Sequence, residues 1–303
     1  MTVESGNIVR IVCDDDVVLG GHVWRGAAPV CGAIAINCAT GVLASYYHYY
    51  ARFLADRGFV VLTYDYRGIG MSRPERLRGC GYRWRDWGEK DFDAALQFLH
   101  QQAPNLPLHV VGHSFGGYLP GLAGHAALID RMLTVGAQYA YWRDYAARRR
   151  AALFLKWHVV MPAMTALCGY FPGRRLGWLE DLPAGVANEW SFRRARMEMG
   201  HPRRQRMEVQ RRFAAVNARI VAVCVEDDEL GTPAAIRRSL AYYKNAKVME
   251  AALTPADYGC DRIGHFGLFH ARHSGDFWLD TLLWLRDGIN PWPDRRFRCD
   301  AGV

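Results

Sequence analysis

Two rhythms alternate along the chain. Short apolar or alternating runs at 7–13, 17–24, 30–36, 59–64, 106–111, 131–135, 219–225 and 247–253 have the length and β-branched composition of strands. Between them, at 46–57, 88–102, 115–127, 233–244 and 275–286, apolar residues recur three and four apart and predict helices. Asp14-Asp15-Asp16 separates the first two strands, which read as an antiparallel hairpin. Gly58 stops the 46–57 helix. The runs 59–64 and 106–111 are apolar at nearly every position, as strands covered on both faces are. This alternation predicts an α/β fold, a mostly parallel sheet with helices on both faces. Pro291 and Pro293 mark an irregular tail.

Ligands of such sheets sit beyond the C-terminal ends of the strands. That directs the search for chemistry to 37–41, 65–72, 112–116, 136–142, 226–230 and 254–266. At one of these exits stands Gly112-His113-Ser114-Phe115-Gly116-Gly117, a G-x-S-x-G turn between a buried strand and a helix. A chain that turns so sharply strains the Ser, and glycines two positions away on either side remove colliding side chains. Ser114 is thereby lifted clear of the sheet as a candidate nucleophile. A serine hydroxyl needs a base, and His265, in Ile263-Gly264-His265-Phe266-Gly267, is the candidate; His270 and His273 fall in or near the next helix. The acid that orients the base is expected after strand 219–225, in Glu226-Asp227-Asp228-Glu229. Asp228 is favoured because Thr232 and Pro233 follow where the next helix begins, with Asp227 as the alternative. An oxyanion hole needs two N–H groups. Phe115 is one candidate; Ala39, or alternatively Cys38, is the other. His113, Tyr141 and Trp142 are candidate substrate contacts.

Charge adds a second unit to this picture. The 303 residues carry a net charge of +8, and residues 136–215 hold 15 Lys/Arg against 6 Asp/Glu. The remainder, with 23 basic and 24 acidic residues, is nearly neutral. A shift this sharp predicts an inserted unit, 137–215, within a core made of 1–136 and 216–303. The insert is also rich in aromatics, including Trp157, Trp178 and Trp190. It lacks zinc spacing, a basic-leucine repeat or an aromatic RNA-binding run, so nucleic acid is not an expected partner. Half of the chain is apolar and 22% charged, which excludes disordered, collagen-like and coiled-coil classes. The longest charge-free stretch in mid-chain, 157–173, falls short of the ~20 residues of a membrane span. The first ten residues have no signal-peptide pattern, and a cytoplasmic location is expected. The eight cysteines form no C-x-x-C pair and read as reduced, mostly buried thiols.

These motifs together resemble the α/β-hydrolase superfamily over nearly the whole chain. Within it, the chain resembles the bacterial α/β-hydrolases near the serine aminopeptidase-like and monoacylglycerol-lipase-like enzymes. The residues that carry the likeness are Ala39-Thr40-Gly41-Val42, Asp65-Tyr66-Arg67-Gly68-Ile69-Gly70, 112–117, Gly169-Tyr170-Phe171-Pro172-Gly173, Glu189-Trp190, Asp227-Asp228 and Gly264-His265-Phe266-Gly267. The resemblance implies an eight-stranded sheet, a Ser114–Asp228–His265 triad, and a helical cap between the sixth and seventh main strands, where the basic insert lies. Many superfamily members have His-Gly after the third strand; here the pair is Asn37-Cys38.

The expected activity is hydrolysis of an ester or thioester through an acyl-enzyme, with no metal or organic cofactor. The partner is a small-molecule substrate, apolar or anionic in its acyl part, with cap arginines able to receive a carboxylate or phosphate. Peripheral membrane contact through the basic cap is compatible with the charge. Rival readings are an aminopeptidase or amidase, an acyltransferase or lyase on the same turn, and a silent protein that binds an anionic ligand.

Overall fold

The computed structural model describes residues 6–297. Among these residues ten strands form: β1 (Asn7–Val12), β2 (Val18–Trp24), β3 (Gly32–Asn37), β4 (Phe59–Tyr64), β5 (Leu108–His113), β6 (Ile129–Val135), β7 (Tyr170–Phe171), β8 (Leu182–Pro183), β9 (Arg219–Val225) and β10 (Lys247–Leu253). Eight make one sheet in the order β1-β2-β4-β3-β5-β6-β9-β10, and β7 and β8 make a separate antiparallel pair. Only the β1–β2 and β2–β4 pairings of the main sheet are antiparallel; every pairing from β4 to β10 is parallel. β3, β4 and β5 are buried at every position, as their unbroken apolar sequences require.

The crossover from β3 to β4 runs toward one edge of the sheet, and that from β4 to β5 runs back toward the other. Right-handed crossovers in opposite directions put their helices, α1 (His48–Ala55) and α2 (Asp93–Gln102), on opposite faces. The reversal opens a crevice between the exits of β3 and β5. Ala39 and Ser114 follow those two strands.

Several elements depart from the periodicity. The expected helix 115–127 is α3 (Phe115–Tyr118) followed by a 3-10 turn, Leu119–Leu122. Pro120 has no N–H for the carbonyl of Gly116, and the Asn37 Nδ2 donates to that carbonyl at 3.2 Å instead. The 88–102 helix begins as a π-type turn, Trp87–Phe92, before α2. Of the cysteines, Cys13, Cys38 and Cys224 are buried, Cys80, Cys168 and Cys260 half-buried and Cys31 exposed; Cys299 lies outside the described residues. The described thiols are thus unpaired but less buried than their apolar neighbours suggest.

The chain between β6 and β9 contains α4 (Arg150–Phe154), α5 (Met161–Cys168), α6 (Ala184–Ser191) and α7 (Arg206–Ala215), besides the β7–β8 pair. A π-type turn, Leu155–Val160, joins α4 and α5. The joined helix, Arg150–Cys168, is the one helix among the described residues long and apolar enough to cross a membrane by length and composition alone. It buries Leu153, Trp157 and Met161. After β9 come α8 (Pro233–Leu240), begun by the Thr232 side chain accepting from Ala235 N, and, beyond β10, α9 (Phe277–Leu282).

Candidate active site

Ser114 stands in the turn with φ +55° and ψ −126°, a strained conformation for a residue with a side chain. The surrounding glycines are required by close backbone approach. A Cβ on Gly112 would lie 2.3 Å from Gly117 Cα, and one on Gly116 would lie 2.3 Å from the Asn37 carbonyl oxygen. The second contact brings the β5 turn against the β3 exit. Asn37 fixes it further, donating from Nδ2 to Gly116 and accepting from the Tyr64 hydroxyl at 2.8 Å. The Asp65 loop braces the same exit: Asp65 accepts from Ala44 and Met71 N–H at 2.8 and 2.9 Å, and Tyr66 Oη donates to the Cys38 carbonyl.

His265 Nδ1 is 2.7 Å from Asp228 Oδ2. Asp228 Oδ1 accepts from the N–H groups of Leu230 and Gly231, each at 2.8 Å. Burial pushes the Asp228 pKa up, but the charge and hydrogen bond of His265 and these N–H groups prevail and hold it below the ordinary carboxylate value. An ionised carboxylate only accepts, so Nδ1 carries the ring proton and Nε2 of the neutral ring is left as the basic nitrogen. Space for this pair comes from Gly136, at φ +57°, where a Cβ would lie 2.9 Å from Asp228 Oδ2 and 3.2 Å from His265 Cε1. Asp227 acts on the same loop by another route. Its carboxylate accepts from Ile263 and Gly264 N–H at 3.1 and 2.8 Å, gripping the backbone just before His265.

Other expected residues are placed differently. The Ala39 N–H is engaged, donating to Tyr47 Oη at 3.0 Å. Ala39 therefore does not present a free donor, because a buried phenol reaches it first. Cys38 is buried, and its backbone carbonyl and thiol face Tyr66 and Tyr64. His113 is fully buried and contacts no substrate space; its neighbours are Tyr47 Oη at 2.7 Å and the His265 carbonyl at 2.7 Å. Burial, together with the nearby His265, pushes its pKa down to about 3 and keeps the ring neutral. Because a carbonyl can only accept, Nε2 of His113 donates to His265 and Nδ1 accepts from Tyr47. One buried chain of hydrogen bonds thus ties the β3 exit to the His265 loop. Tyr141 and Trp142 pack on Arg238 and Phe154, outside the cavity above Ser114.

That cavity, of about 410 Å³, is lined from below by Ala39, Thr40, Ser114 and His265 and from above by Leu153, Trp157, Trp178, Leu179 and Trp190. Trp84 joins the two sides, stacked on Phe115 at 3.8 Å and on Trp190 at 5.5 Å between centroids. Glu189 accepts from Arg85 N–H at 3.0 Å and anchors α6 beside it. Gln138 also lines the cavity, and sequence reasoning missed its role. Its Oε1 accepts the Ala140 N–H, so its amide nitrogen faces Ser114 Oγ at 3.5 Å. The available signal was weak: a polar residue three positions past a strand exit. Among the described residues no group of three His, Cys, Asp or Glu side chains could hold a metal ion.

Comparison with solved structures finds the same fold at low identity. A soluble variant of monoglyceride lipase from Saccharomyces cerevisiae, in complex with a substrate analogue, aligns with a TM-score of 0.67 at 15% identity, covering 94% of this chain and 96% of that one. An esterase from Pyrococcus furiosus gives 0.60 at 14%, covering 95% and 91%. DcsB in complex with its substrate analogue gives 0.61 at 15%, covering 94% and 100%. No curated protein matches by sequence. The model of the family described as serine aminopeptidase, S33, matches residues 31–246. With a match across most of its length and an eight-stranded sheet of this topology, the chain belongs to that family, within the α/β hydrolases.

Proposed function

We propose that this hydrolase cleaves carboxylic esters through a Ser114–His265–Asp228 triad and an acyl-enzyme. The observation that carries the proposal is the Asp228–His265 pair, whose ring lines the cavity that also holds Ser114 and whose second nitrogen has no hydrogen-bond partner among the described residues. Ser114 Oγ attacks the ester carbonyl as its proton passes to His265 Nε2. His265 then protonates the departing alcohol. Water, deprotonated by the same nitrogen, attacks the acyl-enzyme, and Ser114 recovers its proton as the acid leaves. Gln138, donating to Ser114 Oγ, leaves the hydroxyl hydrogen free to face His265. The Phe115 N–H is one oxyanion donor. Ala39 is assigned as the second, which requires its N–H to turn from the buried Tyr47 Oη toward the substrate oxygen when substrate binds. The 137–215 segment acts as a cap, and its tryptophans accommodate an apolar acyl chain.

Amide cleavage at a free amino terminus is the second reading, favoured by the family's description. The lack, among the described residues, of an unengaged lining carboxylate to grip the amine argues against it. Asp227 and Glu229 line the cavity, but the first is engaged by two N–H groups and the second pairs with Arg149 at 3.4 Å. The test is labelling of Ser114 by a fluorophosphonate, followed by turnover of 4-nitrophenyl esters against aminoacyl 4-nitroanilides. Faster turnover of the anilides would replace the ester reading with the amide one.

A further inference from the structure

The upper wall of the cavity carries a cation with no counter-charge among the described residues. Lys156 lies in the π-type turn between α4 and α5, a distortion often found at functional positions. Its Nζ is 4.4 Å from the ring centroids of both Trp157 and Trp178. The two rings stand 82° apart and form a notch around it. Among the described residues no carboxylate pairs with Lys156, although it lines the cavity. Of the other cations there, Arg149 is paired with Glu229, while Arg262 has no ion-pair partner among the described residues. The two lining acids are engaged, as described above. Burial, and then the charge of Arg149, push the Lys156 pKa down, so its ammonium is held in an unfavourable field. An anion placed beside it would relieve that field.

We propose that Lys156 receives a carboxylate at the far end of the substrate's acyl chain, so that the preferred substrates are half-esters of dicarboxylic acids. This rests on the ester-hydrolase reading and names its substrate class. The acyl arm is the one chosen because it stays bound through both chemical steps, whereas the alcohol departs after the first. A carboxylate suits the notch better than a phosphate does. One ammonium between two indole faces offers a single point charge, without the fork of donors that phosphate recognition uses. The aromatic walls would contact the methylene chain between ester and carboxylate.

The test compares 4-nitrophenyl hexanoate with mono-4-nitrophenyl adipate, equal in chain length and differing in the terminal carboxylate. The wild-type protein at low salt should favour the adipate in kcat/KM by about tenfold, through KM. High salt should erode that ratio. Lys156→Gln should bring the ratio near one, and Lys156→Arg should retain most of it, which separates a lost charge from a damaged fold. A wild-type ratio at or below one, or a ratio unchanged in Lys156→Gln, overturns the proposal. Calorimetry on the Ser114→Ala protein with monomethyl adipate and methyl hexanoate reads the same site without chemistry. If neither nitrophenyl ester is turned over but adipate binding still depends on Lys156, the anion site stands and the esterase reading falls. If both esters are turned over without preference, the esterase reading stands and the anion site falls.

Discussion

The lower and upper walls of the cavity are built on different physics. The lower wall consists of strand exits where backbone touches backbone. Gly112, Gly116 and Gly136 each leave no room for a Cβ, and the Asp228 carboxylate and the His113 ring each have every contact defined. The upper wall is made of large side chains packed ring on ring, such as Trp157 on Trp190 at 4.6 Å. There the helix bends through a π-type turn, and a lysine stands without an ion-pair partner among the described residues. The lower wall tolerates almost no substitution because it holds atoms at fixed positions. The upper wall holds a surface, and surfaces can be re-cut. Chemistry should therefore fail abruptly when the first is altered, and selectivity should drift when the second is.

The largest expected effect tests the first half of that statement. Ser114→Ala should lower ester turnover by roughly 10⁴–10⁶ and abolish fluorophosphonate labelling. Substitution of an upper-wall residue such as Trp178→Leu should change KM between acyl chains and leave labelling intact. Comparable losses of kcat from both variants would erase the distinction between the walls.

The adjacent aspartates give the next largest effect. Asp228→Asn removes the acceptor that fixes the His265 tautomer, and kcat should fall about 10⁴-fold. Asp227→Asn keeps one acceptor oxygen for the loop backbone and should cost less than about tenfold. Steady-state kinetics on the two variants decide this, and equal losses would mean that loop position matters as much as proton position.

What the sequence disclosed follows the same division. The sharp turn at Ser114, the eight main strands and the charge discontinuity were legible because each depends on local rules: strand period, glycine placement, a turn that only small residues permit. The start of α8 at Pro233, on which the preference for Asp228 over Asp227 rested, was legible as well. Other features were not. Ala39 faces Tyr47, eight residues on, and His113 turns inward to Tyr47 and the His265 carbonyl, 152 residues away. Contacts across such spans come from the packing of β5, α1 and the last loops together, which no periodicity encodes. Tyr141 and Trp142 illustrate the converse. Their position just past β6 suggested the cavity, yet Arg238 and Phe154 supply nearer partners.

Acid should weaken the lower wall's support. His109, in β5, is buried, and desolvation, together with the nearby Arg131, brings its pKa down to about 4. Its pKa is lower folded than unfolded, so between about pH 6.5 and 4 the unfolded chain binds a proton that the native chain does not. Stability is full above that window and is lost as pH falls through it, by about 1.4 kcal/mol per pH unit for this group. Urea unfolding of wild type and His109→Gln from pH 7.5 to 5 isolates the contribution, since other titrations are common to both. The wild-type slope should exceed the variant's by roughly that amount, and equal slopes would show that the ring titrates normally.

The smallest effect lies where the two walls meet. Gln138 follows β6 and donates to Ser114 Oγ, its amide turned by the Ala140 N–H, with Ala140 at φ +60°. It touches Ser114 Oγ but has no place in the proposed proton transfer, so its loss should cost one hydrogen bond's worth of orientation, about 3–10-fold in kcat. Gln138→Ala and Gln138→Glu separate orientation from bulk. Alanine removes the donor, leaving Ser114 without that partner. Glutamate keeps the size and can still accept from Ala140, but it presents an acceptor to Ser114 Oγ that competes with His265 for the hydroxyl hydrogen. The glutamate variant should therefore be the slower of the two, with its deficit shrinking at low pH as the added carboxylate is neutralised, and with KM for neutral esters little changed in either. If glutamate instead matches wild type at every pH, the amide nitrogen does not orient Ser114, and Gln138 belongs with the upper wall as a packing residue.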